Sequence, residues 1–187
     1  MGLNLEVFRL INNLADKNLY LDSIMIFCSK YLPYIFALAL VVLYLFGISR
    51  RNIECRKVAV STIVFTIINL LISSIIGSVY YVNRPFVDHR VNLLMPHSAD
   101  ASFPSDHVIG TFSIALGLGG YSKVLRNIFM ILSILVGFSR IYVGNHYPLD
   151  VIGGYIIVII MNYVYKKLFK NTVESIYVRI DKAIFKN

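Results

Sequence analysis

The chain has 187 residues, 57% hydrophobic and only 15% charged, with a formal net charge of +8 and a mean hydropathy of +0.69. That is too apolar for a water-soluble domain of this length, so the bilayer is the expected solvent. The basic residues form short clusters beside apolar stretches, with no aromatic-interleaved basic face. This argues against a nucleic-acid partner and makes them topology signals.

Residues 3–17 place Val7, Phe8, Ile11, Leu14 and Ala15 at helical spacing among Glu6, Arg9, Asn12, Asn13 and Asp16. An amphipathic helix lying on the membrane is expected there. The segment lacks the basic, apolar and small-residue parts of a cleaved signal peptide, so it is expected to stay on the mature protein. A first span is expected from Ile24 to Gly47, interrupted only by Lys30, and a second, uncharged, from Val58 to Val82. Each exceeds the roughly 20 residues a helix needs to cross the hydrocarbon core. Shorter spans follow at Val108–Tyr121, Asn127–Val143 and Pro148–Tyr165. From Val173, apolar residues at Ile176, Tyr177, Ile180 and Ile184 fit either an interfacial helix or a frayed tail. No linker or low-complexity run divides the chain. The expectation is an all-α polytopic membrane bundle, residues 1–187 as one domain, with about five transmembrane helices and amphipathic helices at both termini. Cys28 and Cys55 lie at opposite ends of the first span and are not expected to pair.

Arg50, Arg51, Arg56 and Lys57 follow the first span, Lys123 and Arg126 the third, and Lys166, Lys167 and Lys170 the fifth. All three clusters fall on one side, which the positive-inside rule makes the cytoplasm, with the C-terminus. The loop 83–106 and the turn 141–147 then share the outer face, where His107, Arg140, His146 and Asp150 gather at span ends. Ionisable residues in such places are functional candidates by default.

Ser139-Arg140, His146 and Asp150 form one cluster, with Pro148 favouring a helix start between the last two. A helical turn there would let Asp150 accept a proton from one imidazole nitrogen and leave the other free to attack. Arg140 offers a planar fork to phosphate oxygens. Ser102-Phe103-Pro104-Ser105-Asp106-His107 opens the third span. A helix N-terminus there would present N–H donors to an anion, Ser105 would add a hydroxyl or act as an N-cap, and His107 could protonate a leaving oxygen. Asn83-Arg84-Pro85-Phe86 adds a second guanidinium. Arg84 and Arg140 read either as phosphate ligands or as arginines snorkelling to headgroups. His89, His97 and Asp100 read as shaping or gating the mouth. His97, Asp100, Asp106 and His107 match no closed zinc spacing.

These residues resemble the type-2 phosphatidic acid phosphatase superfamily, whose signature is Lys-x6-Arg-Pro, Pro-Ser-Gly-His and Ser-Arg-x5-His-x3-Asp. The third motif is complete at Ser139, Arg140, His146 and Asp150. The second reads Pro104-Ser105-Asp106-His107, with aspartate in the glycine position, and the first keeps Arg84-Pro85 with Gly77 in the lysine position. Aspartate in the second motif and the missing lysine look most like the bacterial undecaprenyl-pyrophosphate phosphatases associated with bacitracin resistance. The resemblance implies hydrolysis of undecaprenyl diphosphate to the monophosphate at the outer face, without metal or other cofactor, recycling the cell-wall lipid carrier. His146 would be the nucleophile forming a phosphohistidine, Asp150 its orienting partner and His107 the general acid. Arg84, Ser105 and Arg140 would be substrate ligands, with Asp106 and His97 as accessory residues. Independently of the resemblance, Arg90 or a side chain from another loop is the expected substitute for the missing lysine. A phosphatidylglycerophosphate or phosphatidate phosphatase is the alternative within this chemistry, and a non-catalytic lipid-phosphate binder or flippase the alternative outside it. The expected partners are the lipid-linked diphosphate and membrane lipids; the residues leave oligomeric state open.

Overall fold

The computed structural model describes residues 2–185, and the described residues contain helices and no strands. In chain order they are α1 (Leu3–Asn12), α2 (Leu19–Lys30), α3 (Leu32–Ser49), α4 (Ile53–Val79), α5 (Pro85–Asp88), α6 (Asp106–Leu118), α7 (Lys123–Tyr142), α8 (Pro148–Leu168) and α9 (Lys170–Phe185). Four of them, α3, α4, α7 and α8, are long and apolar enough to cross a bilayer, and α6 is a shorter apolar helix. Side-chain caps set several starts. Asn18 accepts from the Tyr20 and Leu21 N–H groups, Asn52 from Glu54 and Cys55, and Ser122 from Leu125.

The first expected span, Ile24 to Gly47, is two helices instead of one. Pro33 lies in the first turn of α3. Its ring has no N–H and clashes with the carbonyl four residues back, so α2 cannot run through it. The break falls at Tyr31, whose N–H donates to the Phe27 carbonyl at 2.8 Å, and the crossing helix begins at Leu32.

Helix α6 packs against α3, α4, α7 and α8, and Val108, Ile109, Ala115 and Leu118 are buried in those contacts. The outward faces are apolar: Ile131 and Ile134 on α7 and Ile152 and Ile159 on α8 are exposed. Apolar side chains outside and satisfied helices throughout fit a hydrocarbon solvent.

The two terminal helices are docked at opposite ends of the bundle. On α1, Phe8 is buried edge-to-face on Tyr147, with ring centroids 5.5 Å apart. Asn12 donates to the carbonyls of Asn92 and Tyr142 at 2.9 and 2.8 Å. The amphipathic α1 thus covers the α7–α8 turn with one face while Leu3 and Leu10 stay exposed. At the other end α9 is an ordered helix packed on α4 and α8, not a frayed tail. Arg56 grips Asp181 with two hydrogen bonds of 2.8 and 2.6 Å and donates to the Gly47 carbonyl at 2.6 Å. Tyr177 adds a third donor to the carboxylate at 2.8 Å. Both cysteines are free and buried.

Candidate active site

The ends of α4 and α7, the starts of α6 and α8 and the loop between α4 and α6 meet at one end of the bundle. The α7–α8 turn is tight. Gly144 has φ +88, and a β-carbon on it would lie 2.9 Å from the Asn92 carbonyl oxygen, so glycine is required there. The Arg140 carbonyl accepts from the N–H groups of both Asn145 and His146, at 3.1 and 3.2 Å. This fixes His146 one short turn beyond Arg140 and directly before α8.

His146 is fully buried, and its two ring nitrogens face groups of opposite kind. Nδ1 lies 2.9 Å from the Ser102 carbonyl oxygen, which can only accept. Nε2 lies 3.0 Å from Nη1 of Arg84, which can only donate. The neutral ring therefore carries its proton on Nδ1 and an in-plane lone pair on Nε2. Burial, reinforced by the guanidinium groups of Arg140 and Arg84, holds this imidazole well below its ordinary value of 6.5. Because the charged form is disfavoured, falling pH leaves Nε2 unprotonated, its lone pair held only by the Arg84 hydrogen bond, until well under that value. The acid limb of kcat/KM is therefore expected below pH 6.5 once substrate ionisation is allowed for, and a half-maximal point at or above 6.5 would contradict this environment.

Asp150 is near His146 but does not hydrogen-bond to it directly. Oδ2 is 3.6 Å from Nδ1, because that oxygen already accepts from the Tyr147 N–H at 2.8 Å and the Ser102 hydroxyl at 2.5 Å. The helical turn between the two residues forms as the spacing predicts, but it makes Asp150 the carboxylate that closes the N-terminus of α8. The link to the imidazole runs through Ser102, whose hydroxyl is held by Asp150 and whose carbonyl holds Nδ1. Asp150→Asn is expected to lower kcat by about 10²-fold, less than the roughly 10⁴-fold loss where a carboxylate alone sets the tautomer. Single-turnover phosphate release measures it, and a loss as large as that of a His146 variant would mean direct contact during turnover.

Around His146 lie donors without acceptors. Arg140, 1% exposed, donates from Nη1 to the Ser29 hydroxyl at 2.8 Å, while its buried Nε has no partner. With the Asn145 amide oriented to satisfy its neighbours, that side chain accepts from Arg140 Nη2 at 3.3 Å and donates to the Met95 carbonyl at 3.2 Å. Ser105 is fully buried at the N-cap position of α6, yet it makes no cap and its hydroxyl has no partner. The capping alternative for Ser105 is therefore not what forms, and the snorkelling alternative fails for both arginines, since each is buried. Unmade buried hydrogen bonds cost about 1–3 kcal/mol each, and an oxyanion would satisfy both orphan donors beside the cationic pair. His107, in the first turn of α6, is half-buried with an imidazole that makes no hydrogen bond among the described residues.

Arg84 donates Nε to Asp100 at 2.7 Å, Nη1 to the Asn145 carbonyl at 3.1 Å and Nη2 to the Ala101 carbonyl at 3.3 Å. Burial pushes the Asp100 carboxyl up, but its bonds to Arg84 and Ser98 outweigh this and hold it below its ordinary range. It thus stays ionised on the guanidinium. His97 lies 3.7 Å from Asp100, and burial together with Arg84 keeps its ring below the usual imidazole range. Asp106 hydrogen-bonds Ser73 of α4 and is exposed, so its carboxylate is committed to the α4–α6 gap and not to the arginines. Arg90 is exposed and joins none of these contacts, so it does not replace the motif lysine. At Gly77 a β-carbon would lie 3.3 Å from Ala101 Cβ and 3.4 Å from the Phe103 carbonyl oxygen. The bare backbone of α4 lets the Ser102 loop settle close enough to reach His146. Among the described residues no group of three or more His, Cys, Asp or Glu side chains could hold a metal ion.

The sequence places Ser102 in the cluster that opens the third span and Asp100 at the mouth, but neither the Ser102 link from Asp150 to His146 nor the Asp100 pairing with Arg84 has a local signature. Asn145 has only its place beside His146 as a signal, and part of its role and of that of Ser102 rests on carbonyl groups that every residue has.

Residues 58–174 match the PAP2 superfamily. The chain belongs to that superfamily. It is 39% identical over 185 residues, 97% of this chain and 93% of the relative, to the undecaprenyl-diphosphatase BcrC of Bacillus subtilis (strain 168). It is 35% identical over 153 residues to the bacitracin transport permease protein BcrC of Bacillus licheniformis, covering 81% of this chain and 73% of that one. Among solved structures, Aquifex aeolicus LpxE superposes with a TM-score of 0.70 at 31% identity, covering 89% of this chain and 96% of the other. The PAP2 match spans the second and third motifs, and with them every residue gathered around His146 from α4 onward.

Proposed function

We propose that this PAP2 protein is a lipid diphosphate phosphatase that hydrolyses undecaprenyl diphosphate to undecaprenyl phosphate and inorganic phosphate through a phosphohistidine. The observation that carries the reading is the imposed tautomer of His146, a buried neutral ring with its Nε2 lone pair turned to the Arg84 guanidinium. Nε2 attacks the terminal phosphorus, and the bond from phosphorus to the bridging oxygen breaks. His107 gives a proton to that oxygen as the lipid monophosphate departs. Arg84, the unpartnered Nε of Arg140 and the Ser105 hydroxyl hold the three equatorial oxygens, where negative charge is spread in the transition state. A water molecule then loses its proton to His107 and attacks the phosphorus. The N–P bond breaks, and phosphate leaves with the imidazole restored. Asp150 acts through Ser102 to keep the ring oriented and offsets the positive charge it carries while phosphorylated.

The phosphate charge is met by guanidinium groups, so no metal is required, and turnover is expected to persist in excess chelator. The active-site mouth faces the outside of the cell: the basic clusters around Arg50, Arg126 and Lys166 all lie at the opposite end of the bundle, and positive charge favours the cytoplasm. The BcrC relative named as an undecaprenyl-diphosphatase matches nearly the whole chain, which favours this substrate. Phosphate release from undecaprenyl diphosphate, phosphatidylglycerophosphate and phosphatidate, each presented to the purified protein in detergent with chelator, tests it. The diphosphate is expected to be turned over at least about tenfold faster in kcat/KM. A preference for either phospholipid would transfer the assignment to it, and no release from any of them would leave a binder or flippase.

A further inference from the structure

At the end of the bundle opposite His146 there is a cavity of about 420 Å³, a size typical of small-ligand sites of roughly 300–1,000 Å³. It lies among the start of α4, the α6–α7 turn, the end of α8 and the start of α9. Its inner wall is apolar, with Val58, Phe65 and Leu116, and the wall hydroxyls are already satisfied. Thr62 donates to the Val58 carbonyl at 2.7 Å, and Ser61 pairs with Tyr165 at 3.0 Å.

The rim has Lys57, Arg126, Lys166 and Lys170 against Glu54 and Glu174 only. Both carboxylates are engaged: Glu54 holds Lys57 at 2.6 Å, and Glu174 lies 3.7 Å from Lys170. Among the described residues Lys166 makes no hydrogen bond or ion pair, and the Arg126 guanidinium bonds the Asn127 side chain alone, at 3.2 Å, leaving Nη1 open. Asn162 lines the cavity from α8, half-buried, and its amide makes no hydrogen bond among the described residues. An unsatisfied amide inside a membrane span is costly unless something polar reaches it. A surplus of positive charge at the rim, an open amide beneath it and an apolar floor describe the two halves of one amphiphile.

We propose that this cavity binds the phosphate-bearing headgroup of an anionic phospholipid from the leaflet at the basic end, independently of the reaction at His146. The phosphate sits between Lys166 and Arg126, the glycerol hydrogen-bonds Asn162, and the first acyl carbons lie on Phe65 and Leu116. Juxtamembrane lysine and arginine near a headgroup plane attract anionic lipid. The apolar floor is what free phosphate would not use.

The full chain in zwitterionic micelles, melted while helical circular dichroism is followed, provides the test. Phosphatidylglycerol at saturating mole fraction is expected to raise the midpoint by about 4 °C or more. Phosphatidylcholine and inorganic phosphate should not. The rise should persist in His146→Ala, which separates the cavity from the catalytic mouth, and disappear in Arg126→Glu/Lys166→Glu. If the charge-reversed protein does not fold, Asn162→Leu replaces it and should remove at least half of the rise. No rise with phosphatidylglycerol, an equal rise from phosphate alone, or an undiminished rise in the cavity variant that folds would each overturn the proposal.

Discussion

Replacing His146 by alanine is expected to lower kcat for phosphate release by about 10⁴-fold or more, while leaving binding of a non-hydrolysable diphosphate lipid within about tenfold. The asymmetry follows from the architecture. In the proposed mechanism the imidazole contributes the attacking Nε2 but little of the charge that retains the phosphates, which is assigned to Arg84 and Arg140. The small cavity left by the ring lies under a turn closed by the Arg140 carbonyl and by Gly144, both independent of the side chain. Turnover within tenfold of the unaltered protein would remove His146 from the reaction. Loss of lipid binding in parallel with turnover would instead give the ring a packing role. Acid-quenched single turnovers with labelled terminal phosphate should show protein-bound label in the unaltered protein and none in the variant.

The second large effect concerns stability and lies at the other end of the bundle. Asp181→Ala leaves Arg56 with its charge buried and its strongest partner gone. Removing one member of a buried ion pair costs about 3–5 kcal/mol; because Arg56 keeps the Gly47 carbonyl as an acceptor, about 3 kcal/mol is expected, or roughly 6–12 °C in melting midpoint. The Arg56 guanidinium, aided by the Tyr177 hydroxyl, outweighs burial and holds Asp181 below its ordinary value of 3.8. A depressed carboxylate stabilises the fold above pH 3.8, and that contribution is lost as pH falls through the folded value. The alanine variant should lack this acid-dependent component. The double replacement Arg56→Met/Asp181→Leu should melt higher than Asp181→Ala, since it leaves no orphan charge. A midpoint within 2 °C of the unaltered protein for Asp181→Ala alone would show that α9 is not clamped by this pair.

Much of the fold was legible in the chain because the bilayer imposes a one-dimensional rule: about 20 apolar residues make a span and flanking cations orient it. That rule located α4, α7 and α8 and the short α6. It missed the end of α2 at Lys30, because hydropathy averages over Pro33 while the hydrogen-bond ladder cannot. It also left the C-terminal segment undecided and treated Arg56 as a topology signal, since a partner 125 residues away has no local signature.

At the candidate site, residue types and spacing determined which side chains would gather: His146, Asp150, His107, Arg84, Ser105 and Arg140. Spacing predicts such gathering because a helix brings i and i+4 together and a span carries distant motifs to the same membrane face. How those residues act on one another was decided by tertiary structure alone. The tautomer of His146 depends on the Ser102 carbonyl, 44 residues away, and backbone carbonyls are invisible in a pattern of side chains. For the same reason Asp150 reaches the ring through Ser102 rather than directly. The aspartate at position 106 turns to Ser73, and the glycine at 77 admits a loop where a lysine was expected. The chain itself determined the membrane, the motifs and the end of the bundle where they meet. Only packing decided which nitrogen of His146 keeps its lone pair, because the donor Arg84 and the acceptor Ser102 sit at separate points of the α4–α6 connection and meet the ring only in the folded chain.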